Sequence, residues 1–253
     1  MSLSPYQSPR LAAGYAFSRP PVHRHVIDLV REHLRPDAHA DRALDIGCGA
    51  GLSTAALQPL SSWTVGLEPI GVMLTHSREV APDARFVIAA AERLPFTDDV
   101  FDLVAAAGSV NYADRAMLLS EAARVMSRGA LFLIYDYSPG RRARNTDALA
   151  QWFREFQAQF PEASGYELDL RTLEYAGAGL RLEAYVESEV AMPMSLEAYL
   201  AYVLTETRVE RTIAGGMAES AATAWCRGTL QHVFAHGALE VVFETCVAYV
   251  RHA

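Results

Sequence analysis

Between positions 44 and 54 the chain reads Leu44-Asp45-Ile46-Gly47-Cys48-Gly49-Ala50-Gly51-Leu52-Ser53-Thr54. An apolar run ends in three alternating glycines and then turns helical, so backbone can approach a ligand with no side chain between them. In open α/β sheets such a turn lies at the carboxyl edge of the strands, where these folds bind ligands. The spacing is G-x-G-x-G. A dinucleotide fingerprint wants a further glycine or alanine at position 52, and Leu52 stands there instead. A phosphate-cradling loop needs a lysine followed by Ser or Thr, and the chain has no lysine. The second informative residue is Glu68, which closes Thr64-Val65-Gly66-Leu67-Glu68. A carboxylate at the tip of the second strand is placed to accept both hydroxyls of a ribose.

These residues need a sheet to hold them. From Arg42 to Tyr137 short β-rich runs alternate with helical segments, the pattern of a parallel sheet covered on both faces. Strands are predicted at Arg42–Ile46, Thr64–Glu68, Arg85–Ala89, Phe101–Ala106 and Ala130–Tyr135, with helices at Leu52–Pro59, Gly71–Val80 and Arg115–Met126. Before this block lies an arm, Ser4 to Pro36, whose helix runs from Val22 to Leu34. The arm around Tyr15 and Arg19 has no apolar periodicity of its own, so it is expected to order only over a ligand. After the block, Asp147–Phe160 reads as a helix, Leu180–Val190 as a strand, Ser195–Ala235 as mostly helical and Leu239–Val250 as a closing strand. No repeat or linker divides the chain, which reads as one α/β domain over 1–253: an arm and helix at 1–40, a core at 41–194 and 228–253, and a helical lid at 195–227.

The set Leu44–Gly51, Val65-Gly66-Leu67-Glu68, Ala91-Glu92-Arg93-Leu94-Pro95-Phe96 and Phe101-Asp102-Leu103-Val104 resembles the class I S-adenosylmethionine-dependent methyltransferases, in the small-molecule group called methyltransferase type 11. The resemblance spans about residues 42 to 137. It implies a doubly wound, seven-stranded, mostly parallel sheet of Rossmann-like type, with the last strand antiparallel and a helical lid before it. It also implies S-adenosylmethionine as cofactor and transfer of its methyl group to a small acceptor. Gly47, Cys48 and Gly49 would line the methionine and ribose end, with Asp45 orienting the loop or the ligand's ammonium. Glu68, beside Pro69, would take the ribose. Where relatives often place an aspartate for the adenine amine this chain has Ala90, so adenine falls to the backbone near Ala91 and to Glu92, a residue that could equally cap a short helix. Ala107 and Ser109 would pass under the methionine. Tyr15-Ala16-Phe17-Ser18-Arg19-Pro20 resembles an arm element that folds over the cofactor, with Arg19 at its carboxylate.

Acceptor-side candidates are Asn111 and Tyr112 after the fourth strand, Arg141 at the pocket rim, and Tyr199 and Tyr202 on one helix face; Tyr112, Tyr199 and Tyr202 would otherwise be packing residues, and Arg141 a solvated one. Methyl transfer from a good leaving group relies on alignment and exclusion of water, so no base is obligatory, and no catalytic residue is assigned. The histidines, among them His23, His25, His232, His236 and His252, sit in no metal-ligand context and are read as exposed or core, with no metal site. The formal charge of −8, with all 22 basic residues arginine, disfavours nucleic acid and anionic membranes as partners. Cys48, Cys226 and Cys246 form no disulfide pattern, and the polar start carries no signal-peptide stretch, so the chain is expected to be soluble and cytoplasmic. Two rivals remain: a module that binds the cofactor without turning it over, and a nicotinamide-dependent oxidoreductase, which Leu52 opposes.

Overall fold

The computed structural model describes residues 4–34, 39–144, 146–162 and 168–253. Its strands are β1 (Ala40–Ile46), β2 (Ser61–Leu67), β3 (Arg85–Val87), β4 (Phe101–Ala107), β5 (Met126–Tyr137), β6 (Arg142–Ala143), β7 (Leu180–Met194) and β8 (Leu239–His252). The helices are α1 (Pro9–Phe17), α2 (Val22–His33), α3 (Leu52–Leu57), α4 (Ser77–Val80), α5 (Arg115–Val125), α6 (Ala148–Gln159), α7 (Leu196–Val203), α8 (Thr207–Ala214) and α9 (Glu219–Val233).

Among the described residues all eight strands join one sheet in the order β3-β2-β1-β4-β5-β8-β6, with β7 paired to β8. From β3 to β5 the pairing is parallel. Strand β8 alone is reversed, running antiparallel to β5, β6 and β7. The eighth strand, β6, corrects the expected seven. Its two residues are too short for any periodicity to reveal.

Alternate residues of each strand point to opposite faces, and two cores follow. On one face Ala43, Leu103 and Leu133 pack with Trp152, Phe153 and Phe156 of α6 and with α2, α7 and α9. On the other, Leu44, Val104 and Phe132 pack with Leu118, Ala122 and Val125 of α5. Helix α5 starts where Asp114 caps it by accepting from Met117 N at 3.0 Å. Two expected helices are shorter than read. Residue Pro59 turns the end of α3 into a 3-10 turn over Gln58–Leu60, and Gly71–His76 is a 3-10 segment before α4.

The largest departure is the arm, which carries a helix of its own packed on the rest of the chain. Helix α1 begins at Pro9, its cap Ser8 accepting from Leu11 N at 3.3 Å, and buries Leu11, Ala12 and Ala16. Arg10 pairs with Glu210 of α8 and donates to Leu204 O at 3.2 Å. A Cβ on Gly14 would lie 2.8 Å from Thr205 Cγ2, so glycine lets α1 press against the end of α7. The buried positions fall four apart at Ala12 and Ala16, a period too brief to separate from chance in the bare sequence. Helices α7, α8 and α9 all lie between β7 and β8, extending to Val233 rather than residue 227.

Candidate functional site

The carboxyl ends of β1, β2, β4 and β5 open into a cavity of about 530 Å³, within the usual range for small-molecule sites. One wall is the glycine turn after β1. Gly47, Gly49 and Gly51 all have positive φ, at 73°, 54° and 95°. At Gly47 a Cβ would stand 2.4 Å from Ser109 Cβ, so side chains other than hydrogen are excluded both by backbone and by space. Ser109 is held in that contact by donating to Ile46 O at 2.7 Å.

Two carboxylates organise this wall. Asp45, fully buried, accepts from Ser53 Oγ at 2.6 Å and Thr54 Oγ1 at 2.7 Å, tying the strand end to the first turn of α3. Burial raises its pKa to about 6, against the pull of those two hydroxyls. Asp45 stands behind the loop and does not line the cavity. Glu68 does line it. Its Oε2 accepts from Gly49 N at 3.1 Å and its Oε1 from Ile70 N at 2.9 Å. Burial raises the Glu68 pKa, and the two amides oppose that shift. Each oxygen keeps a lone pair for a further donor, so the carboxylate is fixed in position and still able to accept a diol.

The second wall is made of side chains from α1, α2, β5 and α7. Arg19 lies with its guanidinium 4.0 Å from the Tyr15 ring centre and 5.3 Å from that of Tyr202, and donates to Thr205 O at 3.2 Å. Its Nε is buried without a partner. His23, in the first turn of α2, places Nδ1 3.0 Å from Tyr135 Oη and Nε2 3.3 Å from Tyr137 Oη. Burial, with Arg19 alongside, lowers the His23 pKa to about 4. Tyr6 closes the mouth: its hydroxyl is 2.9 Å from that of Tyr112, and its ring meets Tyr15 edge-on.

Of the residues singled out in the sequence, Tyr15, Arg19, Gly47, Cys48, Gly49, Glu68, Pro69, Ala91, Glu92, Ala107, Ser109, Tyr112 and Tyr202 come together around this cavity. The carboxylate of Glu92 accepts from Asp114 N at 2.9 Å, bracing the turn against the start of α5. Four others are elsewhere. Asp45 is behind the loop, and Asn111 is not among the lining residues. Tyr199 is core, its hydroxyl donating to Gly140 O at 2.9 Å. Arg141 lies over the Phe153 ring at 4.1 Å and borders a second, outer cavity. Sequence reasoning missed His23, Asp136, Tyr137 and Arg211, all of which line the cavity. For Asp136 and Tyr137 a signal existed, since they end β5 at the ligand edge; for His23 and Arg211 none did. Among the described residues no group of three or more metal-ligating side chains occurs, and no helix is long and apolar enough to cross a membrane.

The residues present fit S-adenosylmethionine. A fixed carboxylate faces the ribose position, a loop without side chains leaves room for the chain of the amino acid, and Arg19 offers an unpartnered donor at the far end. The fold is the Rossmann-like one of the methyltransferase structures to which the chain is similar. Residues 44–134 match the family model described as "Methyltransferase domain".

Among curated proteins it is 29% identical over 141 residues to a phthiotriol/phenolphthiotriol dimycocerosates methyltransferase of Mycobacterium leprae, covering 54% of this chain and 52% of that one. It is 35% identical over 101 residues to a demethylmenaquinone methyltransferase of Mycobacterium marinum, covering 39% of this chain and 42% of that one. The chain thus spans about half the length, or less, of these relatives. In three dimensions it is similar to a candidate type II methyltransferase of Anaeromyxobacter dehalogenans, with TM-score 0.63, 20% identity and coverage of 89% and 94% of the two chains. It is similar also to the [4+2]-cyclase SpnF, with TM-score 0.51, 17% identity and coverage of 89% and 80%. The same fold thus occurs in a protein called a cyclase, so fold alone does not fix the reaction.

Proposed function

We propose that the chain transfers a methyl group from S-adenosylmethionine to a small acceptor held against the tyrosine-rich wall. The observation that carries this reading is Glu68, whose carboxylate is fixed by two backbone amides yet open to the cavity beside the glycine turn. When bound, the cofactor supplies a methyl carbon on a sulfonium, with a thioether as leaving group. The chain's own residues do the rest. Glu68 accepts from the ribose, the Gly47–Gly49 backbone follows the ligand, and Glu92 near Ala91 borders the adenine end. Arg19 holds the carboxylate of the methionine portion, and Tyr15 beneath its guanidinium screens the site from water. Asp45 acts on the loop rather than on the ligand. Tyr112 and Tyr202 bound the acceptor space, while Asn111, Arg141 and Tyr199 are left out of it.

Helix α7 supplies Tyr202 and α8 supplies Arg211 at the rim, which supports the reading of 195–227 as a lid on a single domain. A cavity of about 530 Å³ favours a small acceptor over nucleic acid, and the net charge of −8 points the same way. A cytoplasmic setting agrees with three free cysteines. The test is release of the demethylated cofactor from a panel of small acceptors, with the Glu68→Ala variant as control. Turnover that falls with cofactor affinity in the variant supports the reading; cofactor binding with no transfer to any acceptor favours a binding module.

A further inference from the structure

The second wall holds a row of hydrogen-bonding side chains. Tyr135 is fully buried, and its hydroxyl meets Nδ1 of His23 at 3.0 Å. The other ring nitrogen, Nε2, meets the hydroxyl of Tyr137 at 3.3 Å. Both tyrosine rings pack edge-on against the imidazole, at 5.8 and 5.2 Å between centres, so the ring is held in one orientation. His23, Tyr137 and Arg19 all line the cavity, and the Arg19 charge acts on Tyr137.

Resting on the methyl-transfer reading above, we propose that Tyr137 is a catalytic residue, backed by His23, that takes the proton from a phenolic acceptor as it is methylated. The acceptor oxygen passes its proton to Oη of Tyr137 while that hydroxyl passes its own proton to Nε2 of His23. The oxygen's electron pair closes the bond to the methyl carbon, and the pair of the broken carbon–sulfur bond stays on sulfur. One positive charge is lost at sulfur and one appears on the imidazole, so the net charge of the site is unchanged.

Two features select the acceptor class. Burial and the Arg19 charge lower the His23 pKa to about 4, so the ring is neutral near neutral pH and is a weak base. A weak base is matched to a phenol, with a pKa of about 10 as in tyrosine, far better than to an alkyl alcohol. The rings of Tyr15, Tyr137 and Tyr202 suit an aromatic body. Arg19 is the charge acting on the imidazole. Tyr135 and Tyr137 are the titratable groups in contact, and Asp136 shares their strand, its Oδ1 accepting from Tyr137 N at 2.8 Å.

The path demands one tautomer. Nδ1 must carry the hydrogen and donate to Tyr135, leaving Nε2 bare to accept from Tyr137. Nitrogen-15 spectra of the histidine-labelled full chain read this directly, with His23 assigned by its loss in His23→Gln. The Nδ1–H form is expected; the Nε2–H form overturns the path, because that nitrogen could not take a proton. The same spectra followed from pH 3 to 8 should show a lower His23 midpoint with S-adenosylmethionine than with its demethylated product. Equal midpoints, with calorimetry showing both bound, overturn the coupling to the reacting centre. If calorimetry shows neither bound, it is the methyl-transfer reading that fails. Finally, phenol and 2-naphthol should accept methyl groups where benzoate and 2-naphthoate do not, at a rate reduced tenfold or more in Tyr137→Phe. Transfer to the carboxylates, an unaffected Tyr137→Phe, or no transfer to either phenol overturns the acceptor class.

Discussion

The two walls of the cavity are built on different principles. The wall over β1 and β2 presents backbone, shaped by positive-φ glycines and locked by carboxylates whose partners lie within 19 residues. The wall over β5 presents side chains brought from far apart: His23 meets Tyr135 across 112 positions and Arg19 meets Thr205 across 186. A backbone wall recognises a ligand whose shape does not vary. A side-chain wall can be changed residue by residue without disturbing the other.

The sharpest way to break the contrast is Gly47→Val. The new side chain meets both Ser109 at 2.4 Å and a φ of 73°, a conformation that costs roughly 1–3 kcal/mol for other residues before the clash is added. Cofactor binding by calorimetry should be lost, while Tyr137→Phe on the opposite wall should leave it within a few-fold.

The walls also titrate in opposite senses. Asp45 is raised from 3.8 to about 6, so the folded chain holds its proton more tightly than the unfolded one, and its contribution falls as pH rises from about 4 to 6. His23 is lowered from 6.5 to about 4, so the unfolded chain takes the proton first, and stability is lost as pH falls through that window. At 1.36 kcal/mol per unit each amounts to about 3 kcal/mol. Denaturant unfolding between pH 4 and 6.5 should therefore show Asp45→Asn losing stability toward acid more steeply than the parent, and His23→Gln less steeply. Parallel profiles for all three would remove the contrast.

Glu68→Ala tests the backbone wall at finer scale. Losing charge-assisted hydrogen bonds costs about 1.5–3 kcal/mol, so cofactor affinity should fall roughly tenfold or more. The smallest effect is expected at the mouth. Tyr6→Phe removes one hydroxyl contact with the exposed Tyr112, worth about 1 kcal/mol or less, and thermal melting should shift by a few degrees at most.

What could be read in advance follows the same division. The glycine turn and Glu68 are local: their residue types, order and spacing specify the conformation, and Leu44–Gly51 is legible without any distant partner. The parallel strands are legible because buried β-rich runs recur at short intervals. Helix α1 was not, because its stability comes from Arg10 on Glu210 and Gly14 against Thr205, contacts that no local period encodes. Tyr199 and Tyr202 show the limit plainly. They lie on one helix face, yet the Tyr199 hydroxyl reaches Gly140 in the core while Tyr202 borders the cavity. His23 and Tyr137 are single residues of common type, and only the packing of α2 on β5 makes them a pair.

The most direct measurement of the central claim is calorimetric titration of the full chain with S-adenosylmethionine, its demethylated product and NAD(H). The glycine turn without a third small residue at position 52, together with Glu68 fixed by Gly49 and Ile70, predicts saturable binding of both sulfur nucleosides and far weaker binding of the dinucleotide. Tight NAD(H) binding with no heat from either sulfur nucleoside would contradict it.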